Sequence, residues 1–284
     1  MAAQLAQQKI AFIGGGSMAE AIIKGLLDRG QTTVGNLFVL QRSVRPVLQS
    51  VVTEPAIVPV VEPAAKVAAV RQANIVVLAV KPKDVAAAIA ELREGFRPGQ
   101  LLISVVAGMS TATLARKLNL AFALPTVRTM PNTSSAVGLS ATGVAFTADV
   151  SAEQQALALD LVRAIGQVEV VAEPLLDLVT GVSGSGPAYV YAMMEAMIQA
   201  GIDGGLDAAA AKRLTVQTFL GAATMVHTTD ENPADLRVKV TSPNGTTQAA
   251  LEYLAEHGFA DAVKGAVHRA TARAKEIGEA LAQE

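Results

Sequence analysis

A short apolar stretch, Lys9–Ile13, runs into Gly14-Gly15-Gly16 and then into a helical pattern from about Ser17 to Asp28 that ends at Gly30. Strand, glycine turn and helix in that order leave few architectures open, because glycine allows backbone to approach backbone where a Cβ would not fit. The alternation then continues. Leu37–Leu40 reads as a second strand, and Ile75–Val80 is a continuous apolar run suited to a strand covered on both faces. After Lys81-Pro82, Val85–Leu92 reads as a helix. Leu101–Val106 is a further buried strand ending near Gly108, and Thr111–Leu118 follows as a helix. Such alternation is the signature of a parallel, doubly wound α/β sheet of Rossmann type. Residues 44–65 fit less readily, since Pro46, Pro55, Pro59 and Pro63 interrupt any long helix.

Near Val168–Val171 the alternation stops, and from Leu175 the pattern is helical to the end. Tyr189–Ala200 is apolar nearly all round, so it is expected to be buried or shared between subunits. Ala208–Val226, Ala249–Leu254 and Ala260–Ala280 read as further helices. With 284 residues the chain has length for two domains. We expect a dinucleotide-binding domain over 1–170 and an all-helical domain over 171–284.

Composition narrows the function classes. A formal charge of −2, from 23 basic and 25 acidic residues, gives no electrostatic case for nucleic acid or a membrane surface. Zero cysteines exclude disulfides, thiol catalysis and thiolate metal sites. His227, His257 and His268 lack close ligand spacing, so no metal is expected. Apolar runs stay well short of the ~20 residues of a membrane span. Met1–Gln8 lacks the basic-then-apolar pattern of a secretory signal, and a cytoplasmic protein is expected.

Gly14-x-Gly16-x-x-Ala19 is a dinucleotide fingerprint with alanine in its third slot. Gly14 permits the tight turn and Gly16 lets backbone approach a pyrophosphate. Ala19 allows close packing of helix on strand, and the amides from Gly15 through Ser17 and Met18 present partial positive charge. The second strand ends in Gln41-Arg42-Ser43, where an NAD site usually keeps a carboxylate. Arg42 can pair with a 2′-phosphate and Ser43 can donate to it, which favours NADP over NAD. Two more strand ends, Ala79-Val80-Lys81-Pro82 and Val105-Val106-Ala107-Gly108, are expected at the same crevice.

In the helical half, Ser183-Gly184-Ser185-Gly186-Pro187 reads as a helix start with hydroxyl caps and a first-turn proline, or as part of an active site. Ser242-Pro243-Asn244-Gly245-Thr246-Thr247 is more specific. Two or more hydroxyls, a glycine and amides before a helix can enclose a carboxylate without a cationic side chain. A nucleotide turn and an anion turn in one chain suggest hydride transfer to a small acid.

These motifs, together with Ser17-Met18-Ala19-Glu20, Arg128-Thr129-Met130-Pro131-Asn132-Thr133 and Gly181 through Tyr189, resemble pyrroline-5-carboxylate reductases in order and over nearly the whole chain. The resemblance implies hydride transfer from NADPH, or NADH, to the C=N carbon of 1-pyrroline-5-carboxylate, giving L-proline. It also implies a helical domain that interlocks two subunits, and in some members decamers of such dimers. By motif match, Ser242, Gly245, Thr246 and Thr247 would hold the substrate carboxylate and ring nitrogen, with Glu173 near the substrate. Cofactor contacts would fall on Gly14–Ala19, Ala79–Pro82 and Val105–Ala107. Three positions depart from the family pattern. Ser134 stands for proline, Asn244 for glycine, and Lys66 for a cofactor-contacting asparagine, where it could add a cation for a 2′-phosphate.

A protonated C=N bond accepts hydride readily, so no strong general acid is required, and Thr247 Oγ is the expected partner of the ring nitrogen. Two rivals remain open. One is a reductase of β-hydroxy acid or ketopantoate type, which would use a lysine among Lys212, Lys239, Lys264 and Lys275. The other is a non-catalytic NADP-binding regulator.

Overall fold

The computed structural model describes residues 5–43, 57 and 59–283. Pro46 and Pro55 lie outside them. The chain forms two compact units, one running to Ser185 and resuming at Arg269, the other spanning Gly186–His268.

In the first unit the strands are β1 (Ile10–Ile13), β2 (Leu37–Leu40), β3 (Ile75–Leu78), β4 (Leu101–Ser104), β5 (Thr126–Met130), β6 (Ser140–Phe146) and β7 (Gly166–Val170). Among the described residues the helices that accompany them are α1 (Ser17–Asp28), α2 (Pro63–Gln72), α3 (Val85–Leu92), α4 (Thr111–Leu118), α5 (Ala152–Arg163) and the short α6 (Leu176–Val179). The sheet order is β2-β1-β3-β4-β5-β6-β7. Strand order therefore reverses between β1 and β3, the place where open α/β sheets bind ligands.

The sheet is parallel from β2 through β5, as expected, and one strand departs from that rule. β6 runs antiparallel to β5, with Val127 opposite Phe146 and Met130 opposite Gly143. Only residues 131–139 join the two strands, too few for a helical crossover, so β6 must return beside β5. α5 then provides a crossover, and β7 pairs parallel with β6.

Alternate residues of the central strands feed two separate cores. Ile10, Phe12, Ile75, Val77, Leu101 and Ile103 pack with Ile22, Ile23 and Leu26 of α1 and Leu157 and Leu161 of α5. Ala11, Ile13, Val76, Leu78 and Leu102 pack with Val70 of α2, Ile89 of α3 and Leu114 of α4. Burial on both faces explains why these strands read as unbroken apolar runs.

Several boundaries differ from expectation. β3 stops at Leu78 and β4 at Ser104, so Ala79-Val80 and Val105-Val106 lie just past the strand ends, with the Ala79 and Val105 amides each still bonded to the neighbouring strand. Pro63 starts α2 instead of interrupting a helix, because the first helical position has no amide partner to lose. β7 closes the alternation at Val170, while the first compact unit continues through residues 171–185.

The second unit holds α7 (Gly186–Asp203), α8 (Ala208–Thr229), α9 (Pro233–Lys239), α10 (Thr246–Glu256) and the start of α11 (Phe259–Gln283). Asp207 caps α8 by accepting from the amides of Ala209 and Ala210. α7 packs on α8, yet no residue of α7 is buried within the chain. Tyr191, Met193 and Met197 of α7 and Leu214, Leu220 and Met225 of α8 are exposed. The apolar character of Tyr189–Ala200 is thus not accounted for by burial inside one chain.

The last turns of α11 belong to the first unit. Leu281 joins the core of α2, α3 and α4, and Arg116 donates to the Ala282 carbonyl at 3.2 Å. A Cβ on Gly278 would lie 2.8 Å from the Gly108 oxygen, so helix and turn meet at glycine.

α1 approaches the end of α5 in the same manner: a Cβ on Gly25 would stand 2.3 Å from the Ala164 carbonyl oxygen. Overpacking against backbone costs about 1–3 kcal/mol. Gly25→Ala is expected to lower Tm by several degrees in a thermal melt, and an unchanged Tm would show that the two helices separate freely.

Candidate functional site

The glycine turn is held from both sides. Gly14 has φ +99°, and its amide donates to the Leu40 carbonyl at 2.9 Å. On the other flank the Ala79 amide donates to Ile13 O at 2.9 Å, and a Cβ on Gly14 would lie 2.6 Å from Ala79 O. Only glycine satisfies both the backbone angle and that clearance. Gly15 is packed differently: Gln41 Nε2 donates to its carbonyl at 3.3 Å and fills the space beside its Cα. Gly16 has nothing within 4 Å of its Cβ position. That side is open.

Gly16 is also the residue before α1, and no side chain caps the helix. The amides of Ser17, Met18 and Ala19 begin a 12-residue helix with its positive dipole end toward the open side. A pyrophosphate fits this cradle, since glycine clears the approach and the amides supply donors. Ala19 is fully buried in the core, and the Met18 sulfur accepts from Ser135 Oγ at 3.6 Å.

The flanks of this turn carry the other expected cofactor residues. Arg42 and Ser43 follow β2 and are exposed. Arg42 Nη1 lies 3.2 Å from Asp84 Oδ1, at the end of a 3₁₀ turn, Pro82–Asp84, that follows Lys81. The Val105 amide donates to Leu78 O at 3.1 Å, Val106 is buried, and Ala107 is exposed. Lys66 has another setting. Its side chain is 7% exposed inside the α2–α3 contact, with Nζ 2.8 Å from Glu91 Oε1. Reaching a phosphate would require breaking that pair and withdrawing the buried ammonium from the helix contact.

Glu173 is engaged on both carboxylate oxygens. Oε1 accepts from the Thr111 amide at 2.7 Å and Oε2 from Thr111 Oγ1 at 2.6 Å, so Glu173 closes the start of α4. Oε1 also stands 3.5 Å from Arg128 Nη1, and Arg128 Nη2 lies 3.3 Å from Asp177 Oδ1. Arg128 is buried on β5, and these two carboxylates compensate its charge. Sequence reading quoted Arg128 within a motif without giving it a role. The available signal was a lone arginine in a strand whose neighbours are all uncharged.

A helix does start at Gly186 with Pro187 in its first turn, but Ser183 does not cap it. α6 continues into a π turn, Thr180–Gly184, with the Ser185 amide donating to Thr180 O at 2.8 Å. Thr180 Oγ1 and Ser183 Oγ donate back to the Leu176 and Val179 carbonyls, four residues earlier. Within helix such hydroxyls satisfy carbonyls instead of capping amides. Asn132 Nδ2 donates to Ser183 O at 3.0 Å, tying the segment after β5 to the π turn.

In the second unit Ser242, Gly245, Thr246 and Thr247 form one turn at the start of α10. The Gly245 amide donates to Ser242 O at 3.0 Å, and Asn244 has φ +59°. Asparagine tolerates that left-handed backbone, which explains how it replaces glycine. The Asn244 amide donates to Gln248 Oε1 at 2.8 Å. Gly245 precedes the helix with no side-chain cap, so the first amides of α10 lack the partner that a capping side chain would give. Lys239 forms an ion pair with Glu231.

Removing Glu173 leaves a buried guanidinium with one carboxylate and takes the acceptor from the Thr111 amide and hydroxyl, a loss of about 2–3 kcal/mol. Urea denaturation of Glu173→Ala is expected to show that loss and Glu173→Gln a smaller one. Equal stability of Glu173→Ala and wild type would make the cluster dispensable.

Residues 173–277 match the family model for pyrroline-5-carboxylate reductase dimerisation, and residues 9–108 match the model for coenzyme F420-dependent NADP oxidoreductase. The chain is 41% identical over 280 residues to pyrroline-5-carboxylate reductase of Pseudomonas aeruginosa, covering 97% of this chain and 98% of the relative. It is 38% identical over 273 residues to pyrroline-5-carboxylate reductase 1 of Bacillus subtilis, covering 96% and 90%. Among solved structures, a pyrroline-5-carboxylate reductase from Coxiella burnetii superposes with TM-score 0.87 at 35% identity, covering 95% of this chain and 98% of that one. The Plasmodium falciparum pyrroline carboxylate reductase with NADP bound gives 0.83 at 27% identity, covering 96% and 99%. Matching along nearly its entire length at these identities, the chain belongs to the pyrroline-5-carboxylate reductase family.

Proposed function

We infer that this chain catalyses the NADPH-dependent reduction of 1-pyrroline-5-carboxylate to L-proline, the final step of proline biosynthesis, with NADH as a second donor. The observation that carries the reading is the match to pyrroline-5-carboxylate reductases at 41% identity along 97% of the chain. The open side of the glycine turn supports the cofactor assignment. Arg42 and Ser43 support the 2′-phosphate.

When bound, NADPH supplies the hydride. The chain's own part is binding and orientation. Ser242 Oγ and the first amides of α10 hold the substrate carboxylate, and Thr247 Oγ hydrogen-bonds the ring nitrogen. The C=N carbon is thereby fixed for attack, and catalysis rests on proximity, with electrostatic support for the anion. Glu173 acts through Arg128 and Thr111, as a brace for the sheet end. The reaction requires the turn at 242–247 and the nucleotide turn to meet, within one chain or across two. The family match speaks against a lysine-dependent rival, and two of its four candidate lysines are paired, Lys239 with Glu231 and Lys264 with Asp261.

The finer reading assigns residues 1–170 to the nucleotide and 171–284 to substrate and pairing, in a cytoplasmic homo-oligomer built from dimers. The dimerisation match over 173–277 and the exposed apolar side chains of α7 and α8 support the pairing. Among the described residues no helix is long and apolar enough to cross a membrane.

NADPH oxidation is expected with pyrroline-5-carboxylate and absent without substrate, with no reverse reaction on β-hydroxy acids. Thr247→Ala is expected to lower kcat/KM by about 10- to 100-fold, the worth of a hydrogen bond to a charged group, with NADPH binding retained. Wild-type kinetics in that variant would end the role of Thr247. For the oligomer, Leu214→Glu combined with Leu220→Glu is expected to shift sedimentation from dimer to monomer, and an unshifted dimer would place the interface elsewhere.

A further inference from the structure

We propose that Asp84 is a specificity residue, which holds Arg42 when no 2′-phosphate is present and thereby limits the preference for NADPH over NADH. The proposal rests on the cofactor reading above. The Arg42–Asp84 pair joins the two segments that flank the glycine turn. Arg42 follows β2, which is fastened to the turn through Gly14 N–H to Leu40 O and Gln41 Nε2 to Gly15 O. Asp84 follows β3, whose Ala79 carbonyl abuts Gly14. Since β1 lies between β2 and β3, an ion pair linking those flanks runs beside the turn that would hold the pyrophosphate.

The two partners differ in freedom. Arg42 has 84% of its side chain exposed, and Asp84 has 24%. The pair meets through Nη1 and Oδ1 at 3.2 Å, without the forked geometry that makes guanidinium–carboxylate pairs strong. Exposed pairs of this kind are weak, so Arg42 can change partner, whereas Asp84 is set against its 3₁₀ turn. A 2′-phosphate offers a dianion with three acceptor oxygens and captures the guanidinium. Asp84 then opposes NADPH in two ways. Arg42 must first leave it, and afterwards two anions share one cation. NADH carries no such phosphate and leaves the pair intact.

The test is direct binding of NADPH and NADH, followed by nicotinamide fluorescence, to the assembled enzyme without a pyrroline substrate. Asp84→Asn is expected to tighten NADPH by roughly two- to fivefold, the range set by an exposed ion pair, and to change NADH less than about twofold. Asp84→Ser repeats the measurement with a second side chain. In an Arg42→Ala background NADPH binds more weakly, and the effect of Asp84→Asn is expected to disappear. Unchanged or weaker NADPH binding in both Asp84 variants overturns the proposal, as does an equal change for NADH. Because the readout needs no turnover, absent pyrroline reduction would strike the reaction assigned above and leave this comparison intact.

Discussion

The close approach of Gly14 to the Ala79 carbonyl governs the candidate cofactor end. β1 and β3 are neighbours in register from Ile10 and Ile75 to Ile13 and Leu78. Their ladder continues one step past both strands, through the Ala79 amide and Ile13 O. At that point the chain of β1 must turn away into α1 while the chain of β3 still lies alongside. A side chain on residue 14 has nowhere to go, and the positive φ of the turn excludes it again. The same geometry leaves the α1 amides uncapped and pointing to the open side, which makes the site suitable for an anion.

A second glycine contact ties the far end of the sequence to the same sheet. Gly108, at φ +75°, follows β4, and the Ile277–Gly278 step of α11 sits against it. The sheet unit is therefore not a simple N-terminal segment. Residues 269–283 complete one of its two cores through Leu281, and the second unit is inserted between the parts in sequence. Truncating the chain after the last strand would expose the α2–α4 face as well as remove helices.

The parts of this fold legible in sequence are those whose physics is local. Ile75–Leu78 and Leu101–Ile103 are apolar throughout because both faces are covered, and the helices after them were bounded to the residue. β5, β6 and β7 escaped notice for a matching reason. Arg128 interrupts β5, while β7 alternates at an edge of the sheet and lacks a continuous run. Pro63 was read as a breaker when it begins a helix, since a proline's meaning depends on which residue is the first in the helix. The π turn at Thr180–Gly184 had no legible signal, because its glycines and hydroxyls suit a capped start equally well. In the candidate site, the glycine turn and the 242–247 turn were legible from backbone requirements alone. The partners of Glu173 and Lys66 were not, because Thr111, Arg128 and Glu91 are distant in sequence.

Two cations expected at the cofactor end illustrate how burial decides what a charge can do. Lys66 is almost fully enclosed between α2 and α3, and its partner Glu91 compensates the desolvated ammonium. Moving Lys66 toward a ligand would break its pair with the partly exposed Glu91 and open a gap between two helices. Arg42 also has a carboxylate partner, yet its guanidinium remains mostly in water, where the exchange of one anion for another costs little. Charge and distance alone make the two pairs look equivalent, with the shorter one at Lys66. Solvent exposure separates them: the lysine pair acts as a clasp between helices, and the arginine pair can respond to whichever nucleotide arrives.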